Sequence, residues 1–224
     1  MTEPQDVIPR SRVAIGSLWA VLLLDAAAVC SGFPYLDYLR SLPPETVVAE
    51  LDLVPSEAAY VIIGLIQFVA IVVAAVSFIR WFQAAYVSVG TLTGRATKHD
   101  PGWTLWGFLV PFLNLFRPQQ IMREIWDDTY VQWVEEPSRV AGLHCPADRV
   151  NLWWGLFLVS SVLSSAAGRF SWRAVTAADE ATATLWYLIS DSLDVVAAIV
   201  AVLLVRSVTA LQRPFLDNAA PSVV

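Results

Sequence analysis

Charge is scarce in this chain. Only 15% of its 224 residues are Asp, Glu, Lys or Arg, against 57% hydrophobic, whereas a soluble globular domain carries about a quarter charged residues and under half apolar ones. The imbalance excludes an ordinary soluble domain and fits an integral membrane protein. Basic residues are fewer still, 14 against 20 acidic for a net charge of -6. They are scattered, so no basic face forms and a general nucleic-acid partner is excluded. Two cysteines, Cys30 and Cys145, make no disulfide framework. Of the two histidines, His99 and His144, only His144-Cys145 beside Asp148 hints at a metal, and that is half a site. The chain has no phosphate-gripping glycine-rich loop, no cysteine pair of metal spacing and no Ser/His/Asp arrangement. The expectation is a protein without metal or cofactor, for which an enzyme is the third choice among function classes.

Long apolar runs are what the chain does have. A bilayer core of ~30 Å needs about 20 helical residues, and four stretches qualify: Val13 to Phe33, Ala58 to Ile79, Val150 to Gly168 and Thr184 to Val205. They are apolar all round, as lipid-facing helices are. The expected fold is an all-α, multi-pass transmembrane bundle of four spans in a single membrane domain, residues 13–212, with tails at 1–12 and 213–224. Met1 to Pro9 and the stretch from Arg213 onward are expected to fray. The first span has Arg10 and Arg12 before it, like a signal peptide. Asp25 interrupts it, however, and Val29 stands before Cys30 where lipoprotein cleavage needs a small residue, so the helix is expected to stay. Pro34 to Glu57, with Pro43-Pro44 and acidic residues, reads as a short outer excursion of one or two helical turns.

A fifth apolar stretch, Trp103 to Phe116, is too short to span. As a helix its 14 residues would reach roughly 21 Å, and Pro111 stands in its middle with Asn114 near its end. Charge gives an independent test, because Lys and Arg are retained in cytoplasmic loops. If the stretch dips and returns, only Arg40, Arg169 and Arg173 of the 14 cations lie outside; if it crosses, the cations divide evenly. The first arrangement obeys the rule. It predicts both termini in the cytoplasm and residues 103–116 as a re-entrant or interfacial segment on the cytoplasmic side.

After Pro118 the pattern changes. Ile121, Met122, Ile125, Trp126, Tyr130, Trp133 and Val134 recur at helical spacing, while Arg123, Glu124, Asp127, Asp128 and Gln132 fill the other face. The spacing predicts an amphipathic helix over 119–135. Its polar face is acidic, so it is expected to pack on the bundle or a partner protein rather than be held by anionic lipid. The tryptophans near span ends, Trp81, Trp103, Trp106, Trp153, Trp154 and Trp186, are expected to anchor at the interface.

"FIRWFQAAY", "PGWTLWGFLVPFLNLFRPQQIMREIWD", "NLWWGLFLVSSVLSS" and "VRSVTALQ" resemble, in order and spacing, a bacterial family of four-helix membrane proteins known only as a domain of unknown function, many of whose members are actinobacterial. The resemblance covers Phe78 to Gln212. Its specific part is Pro101, Gly102, Trp103, Pro111, Asn114, Leu115, Pro118, Glu124 and Trp126. Ala84 and Ser88 stand where the family tends to have Arg and Asn, with Ala85 and Tyr86 kept. The resemblance implies a multi-pass protein of the bacterial plasma membrane and brings no activity with it.

Function is sought in two places. Carboxylates inside a membrane are expensive, about 2.5 to 3.5 kcal/mol for an Asp at a helix centre on insertion scales. Asp191 and Asp194 share one stripe of the last span with Tyr187, Ala198 and Ala201, so they are expected to face the bundle interior, where Asp25 of the first span would meet them. Two readings stand: interhelical hydrogen bonding, or a proton- or cation-coupled path. The second place is Pro101 to Trp126, read as a cytoplasm-facing pocket or docking surface with Trp103, Pro111, Asn114, Pro118 and Trp126 in it and Arg117, Arg123 and Glu124 at its rim, or as a plug sealing the bundle. Two function classes follow. One is a non-enzymatic interaction or scaffold protein, partnered by the bilayer and by another protein or a second copy. The alternative is a small proton- or cation-linked transporter or lipid-handling protein.

Overall fold

In the computed structural model, residues 6–50, 54–132 and 147–219 are described. They are mostly helical, joined by short turns and loops. Six α-helices follow in order: α1 (Val7–Ser41), α2 (Pro55–Thr93), α3 (Trp103–Leu109), α4 (Arg117–Val131), α5 (Ala147–Ser171) and α6 (Ala177–Ala219), with single 3-10 turns at Val48–Glu50 and Leu113–Leu115. Four of these helices are long and apolar enough to cross a membrane, and each of the four expected spans lies inside one of them. Their lengths of 35, 39, 25 and 43 residues exceed the ~20 that a hydrocarbon core requires.

Helix ends are set by local chemistry. Pro55 opens α2, where its missing N–H is no loss. Gly94, at φ 63, stops that helix in the left-handed region that glycine enters without strain. At the start of α6, Thr176 and Asp179 form a reciprocal cap: the Asp179 N–H donates to Thr176 Oγ1 at 3.3 Å, and the Thr176 N–H donates to Asp179 Oδ2 at 3.2 Å. Two proline-bearing stretches extend further than expected. α1 runs through Pro34 to Ser41, and α6 runs through Pro214 to Ala219. Residues 7–9 and 213–219 are therefore helical, where fraying was expected.

The described residues divide into two compact units. One draws on residues 1–18, 73–154 and 200–224, the other on 19–72 and 155–199. Each of α1, α2, α5 and α6 contributes a segment to both.

The first unit has an aromatic core. Phe78 lies 5.3 Å from Trp81 and 5.5 Å from Trp153 between ring centroids, and Phe108 stands edge-on to Phe82 and Trp154. Trp81, Trp153 and Trp154 are buried. These three are core residues, which corrects the expectation of interfacial anchors: Trp81 donates its indole N–H to Thr209 and Trp154 donates to the Leu115 carbonyl, so their polar ends are satisfied inside the protein. Trp106 is exposed, as an anchor would be.

The second unit buries small and polar residues, among them Ala28, Ala167, Ser160 and Ser190, together with Tyr35, Leu36, Leu39 and Leu188. Its connections meet edge to edge, the Val48 N–H donating to Val175 O and the Ala177 N–H to Thr46 O. Many large apolar side chains on its helices, among them Leu65, Phe68 and Val162, are exposed. Apolar surface of that extent suits lipid rather than water.

Candidate functional site

Two clusters carry the chemistry, one in each unit. In the second unit, α1, α2 and α6 bring three polar side chains together. Gln67 Nε2 donates to Asp25 Oδ1 at 2.6 Å and to Asp191 Oδ1 at 3.1 Å. Asp25 and Asp191 are both buried, Asp25 to 1% exposure. The expected meeting of these two acids is therefore found. The group that joins them is Gln67, which the sequence reading passed over although it is the lone polar side chain between Tyr60 and Ser77. Asp194 takes a different partner: Ser190 Oγ lies 3.5 Å from its Oδ2 and 2.7 Å from Ser164 Oγ, which ties α6 to α5. Tyr187 is half-buried, its hydroxyl 3.5 Å from where a Cβ on Gly168 would stand. One oxygen, Asp25 Oδ2, is buried without a hydrogen-bond partner.

In the first unit, α3, the 3-10 turn and α4 form a continuous run. Asp100 Oδ1 accepts from the Gly102 N–H at 2.7 Å, a turn that launches α3. Val110 then becomes extended (φ -79, ψ 119), as the residue before a proline must. Asn114 answers the break with its backbone, its N–H donating to Val110 O at 3.0 Å. Phe112 stands at φ 66, ψ -40 and is exposed. A non-glycine residue there is strained, so Phe112→Gly is expected to raise stability in detergent by about 1 kcal/mol, read as a higher unfolding midpoint. A lower midpoint would mean that the Phe112 ring packs rather than strains.

α4 buries Pro118, Ile121, Met122, Glu124, Ile125, Trp126 and Thr129. Glu124 is thus on the inner face, not at a rim or on the solvent side. The reason is its partners: the Tyr86 hydroxyl donates to Oε2 at 2.8 Å and the Lys98 N–H donates to Oε1 at 2.6 Å. The His99 N–H in turn donates to the Tyr86 hydroxyl at 2.9 Å. One carboxylate therefore fastens α2, the loop after it and α4. Arg117 is half-buried beside this network. Its Nη1 reaches the His99 ring at 3.0 Å and Gln120 Oε1 at 3.2 Å, and its guanidinium lies over Trp103 at 5.3 Å, a cation–π contact. Gly107 permits that placement, since a Cβ there would come within 3.0 Å of Arg117 Cγ. Arg123 is exposed and donates to Asn151 Oδ1 at 2.7 Å. Residues 133–135, the expected end of this helix, and His144 and Cys145 lie outside the described residues. Among the described residues, no cluster of three His, Cys, Asp or Glu side chains has metal-binding geometry.

Comparison with curated proteins and with solved structures finds no match. The family model described as "Domain of unknown function (DUF4328)" matches residues 45–210, a range that holds Gln67, Asp191 and the whole Tyr86–Glu124–Arg117 network but not Asp25. With four helices fit to cross a bilayer and a match over well more than half its length, this chain is an integral membrane protein and a member of the DUF4328 family.

Proposed function

We propose that the chain is a non-enzymatic scaffold of the bacterial plasma membrane that holds a partner protein on the outward face of α4. The observation that carries this reading is the division of labour on α4. Glu124, Ile125 and Trp126 fix the helix from within, while Gln120, Arg123, Asp127 and Tyr130 stay exposed on the opposite face. A rigid helix with a polar outer face suits protein recognition.

Leu105, Trp106, Leu109, Phe112 and Phe116 are exposed along the segment before it. That supports residues 103–116 as a re-entrant element whose apolar lip rests in one leaflet, with 13–212 as the membrane domain. The charge bias supports a cytoplasmic position for both termini. In keeping with that, the start of α1 and the end of α6 belong to the same unit.

A photo-crosslinking residue at Asp127 is expected to give a discrete protein adduct in native membranes, and one at Trp106 lipid adducts. No protein adduct at Asp127, in chain that inserts normally, rejects the docking reading; an adduct of twice the chain's mass identifies a second copy as the partner. A small proton- or cation-linked transporter or lipid-handling protein is the second reading, favoured by the convergence of Asp25 and Asp191 on one amide. Asp→Asn changes at these positions would abolish flux under that reading and leave docking intact.

A further inference from the structure

We infer that the position held by Gln67 Nε2, between Asp25 of α1 and Asp191 of α6, is a binding site for one small monovalent cation of the sodium class. The inference does not depend on the docking reading, because all three residues belong to the second unit and α4 belongs to the first.

The geometry carries it in three steps. First, two carboxylate oxygens converge on one electropositive group, at 2.6 and 3.1 Å from Nε2. Oxygen ligands hold hard cations at about 2.3 to 2.6 Å, so a bare ion in that place needs only a small closing of the two acids. Second, Asp25 Oδ2 is buried and without a partner in a residue 1% exposed, and a buried carboxylate oxygen left so is costly. A proton on it makes an O–H that still lacks an acceptor, whereas a cation held by both oxygens of the Asp25 carboxylate would satisfy it. Third, the charge is not balanced by the protein. Arg40, Arg169 and Arg173 are the cations of the second unit, and all three are exposed.

Gln67 supplies the exchange. Swung out of that position and turned over, its amide presents Oε1 to the ion in place of Nε2 and changes from donor to acceptor. Asp25, Gln67 and Asp191 then offer oxygens from three helices. An all-oxygen set of this kind suits hard cations rather than zinc or copper, and three side chains fall short of the six to eight oxygens that calcium takes.

The test is thermal unfolding of the purified full chain in mild detergent at fixed pH. NaCl, LiCl and KCl are compared with N-methyl-D-glucamine chloride at equal ionic strength. The expected result is a saturable rise of the midpoint with sodium that the organic cation does not give, and a half-saturating concentration raised about tenfold or more in Asp25→Asn, which keeps the shape and still accepts from Gln67. If Asp25→Asn fails to fold, calorimetric titration of the unaltered chain with NaCl decides: a saturable heat supports the site. Equal midpoints in sodium and in the organic cation, no titration heat, an undiminished sodium response in Asp25→Asn, or a response to pH alone would each overturn it.

Discussion

Glu124→Ala is expected to lower stability by about 3 kcal/mol or more, the largest effect of any single change in the first unit outside its aromatic core. The carboxylate is buried and accepts from the Tyr86 hydroxyl and the Lys98 N–H. Hydrogen bonds to a charged group contribute about 1.5 to 3 kcal/mol each, and removing one partner of a buried polar cluster strands the others. Tyr86→Phe removes one donor and leaves the Lys98 N–H in place, so its cost is expected at about 1.5 to 3 kcal/mol. Combining the two should cost less than their sum, since with Glu124 gone the Tyr86 hydroxyl no longer has its acceptor. Reversible unfolding in detergent measures all three. A Glu124→Ala midpoint within experimental error of the unaltered chain would show that the carboxylate is incidental to the fold.

Glu124 also shows where sequence reasoning stops. On a helical wheel it borders the apolar arc defined by Ile121 and Ile125, and sorting by chemistry assigns it to solvent. What buries it lies 26 and 38 residues away, and no local pattern encodes that distance. The four spans were legible for the opposite reason: length and apolarity are local properties, and the bilayer demands both. The same uniform apolarity hides how each span is rotated, because a helix apolar all round carries no periodic signal. The stripe of Asp191 and Asp194 gave the rotation of α6, and Asp25 gave that of α1. For α2 the signal was Gln67, one amide in an otherwise apolar run, and the search for acids missed it. The tryptophans erred in the same way. Composition suggested a belt at the interface, yet Trp81, Trp153 and Trp154 are buried against Phe78 and Phe108, a choice made by neighbours far along the chain.

Gln67→Leu tests whether that amide is the clamp of the second unit, and it is expected to destabilise by about 2 to 4 kcal/mol. The substitution keeps much of the side chain's bulk, so the loss is electrostatic rather than a cavity. Interhelical hydrogen bonds in membranes average about 0.6 kcal/mol and reach about 1.7, because the separated helices also find partners. Two features raise the figure here. Both acceptors are carboxylates, and without the amide Asp25 has neither oxygen satisfied, Oδ2 being without a partner already. The two acids then face each other across apolar surface with nothing between them. That predicts a rescue: adding Asp191→Asn to Gln67→Leu restores an N–H donor for Asp25 and removes one of the two charges, so the double variant should recover more than half of the loss. A structural cavity would give the reverse, a double variant weaker than either parent. The cycle of four proteins, measured by unfolding in detergent at one pH and one sodium concentration, isolates the coupling between positions 67 and 191, and a coupling indistinguishable from zero would remove Gln67 from the centre of this unit.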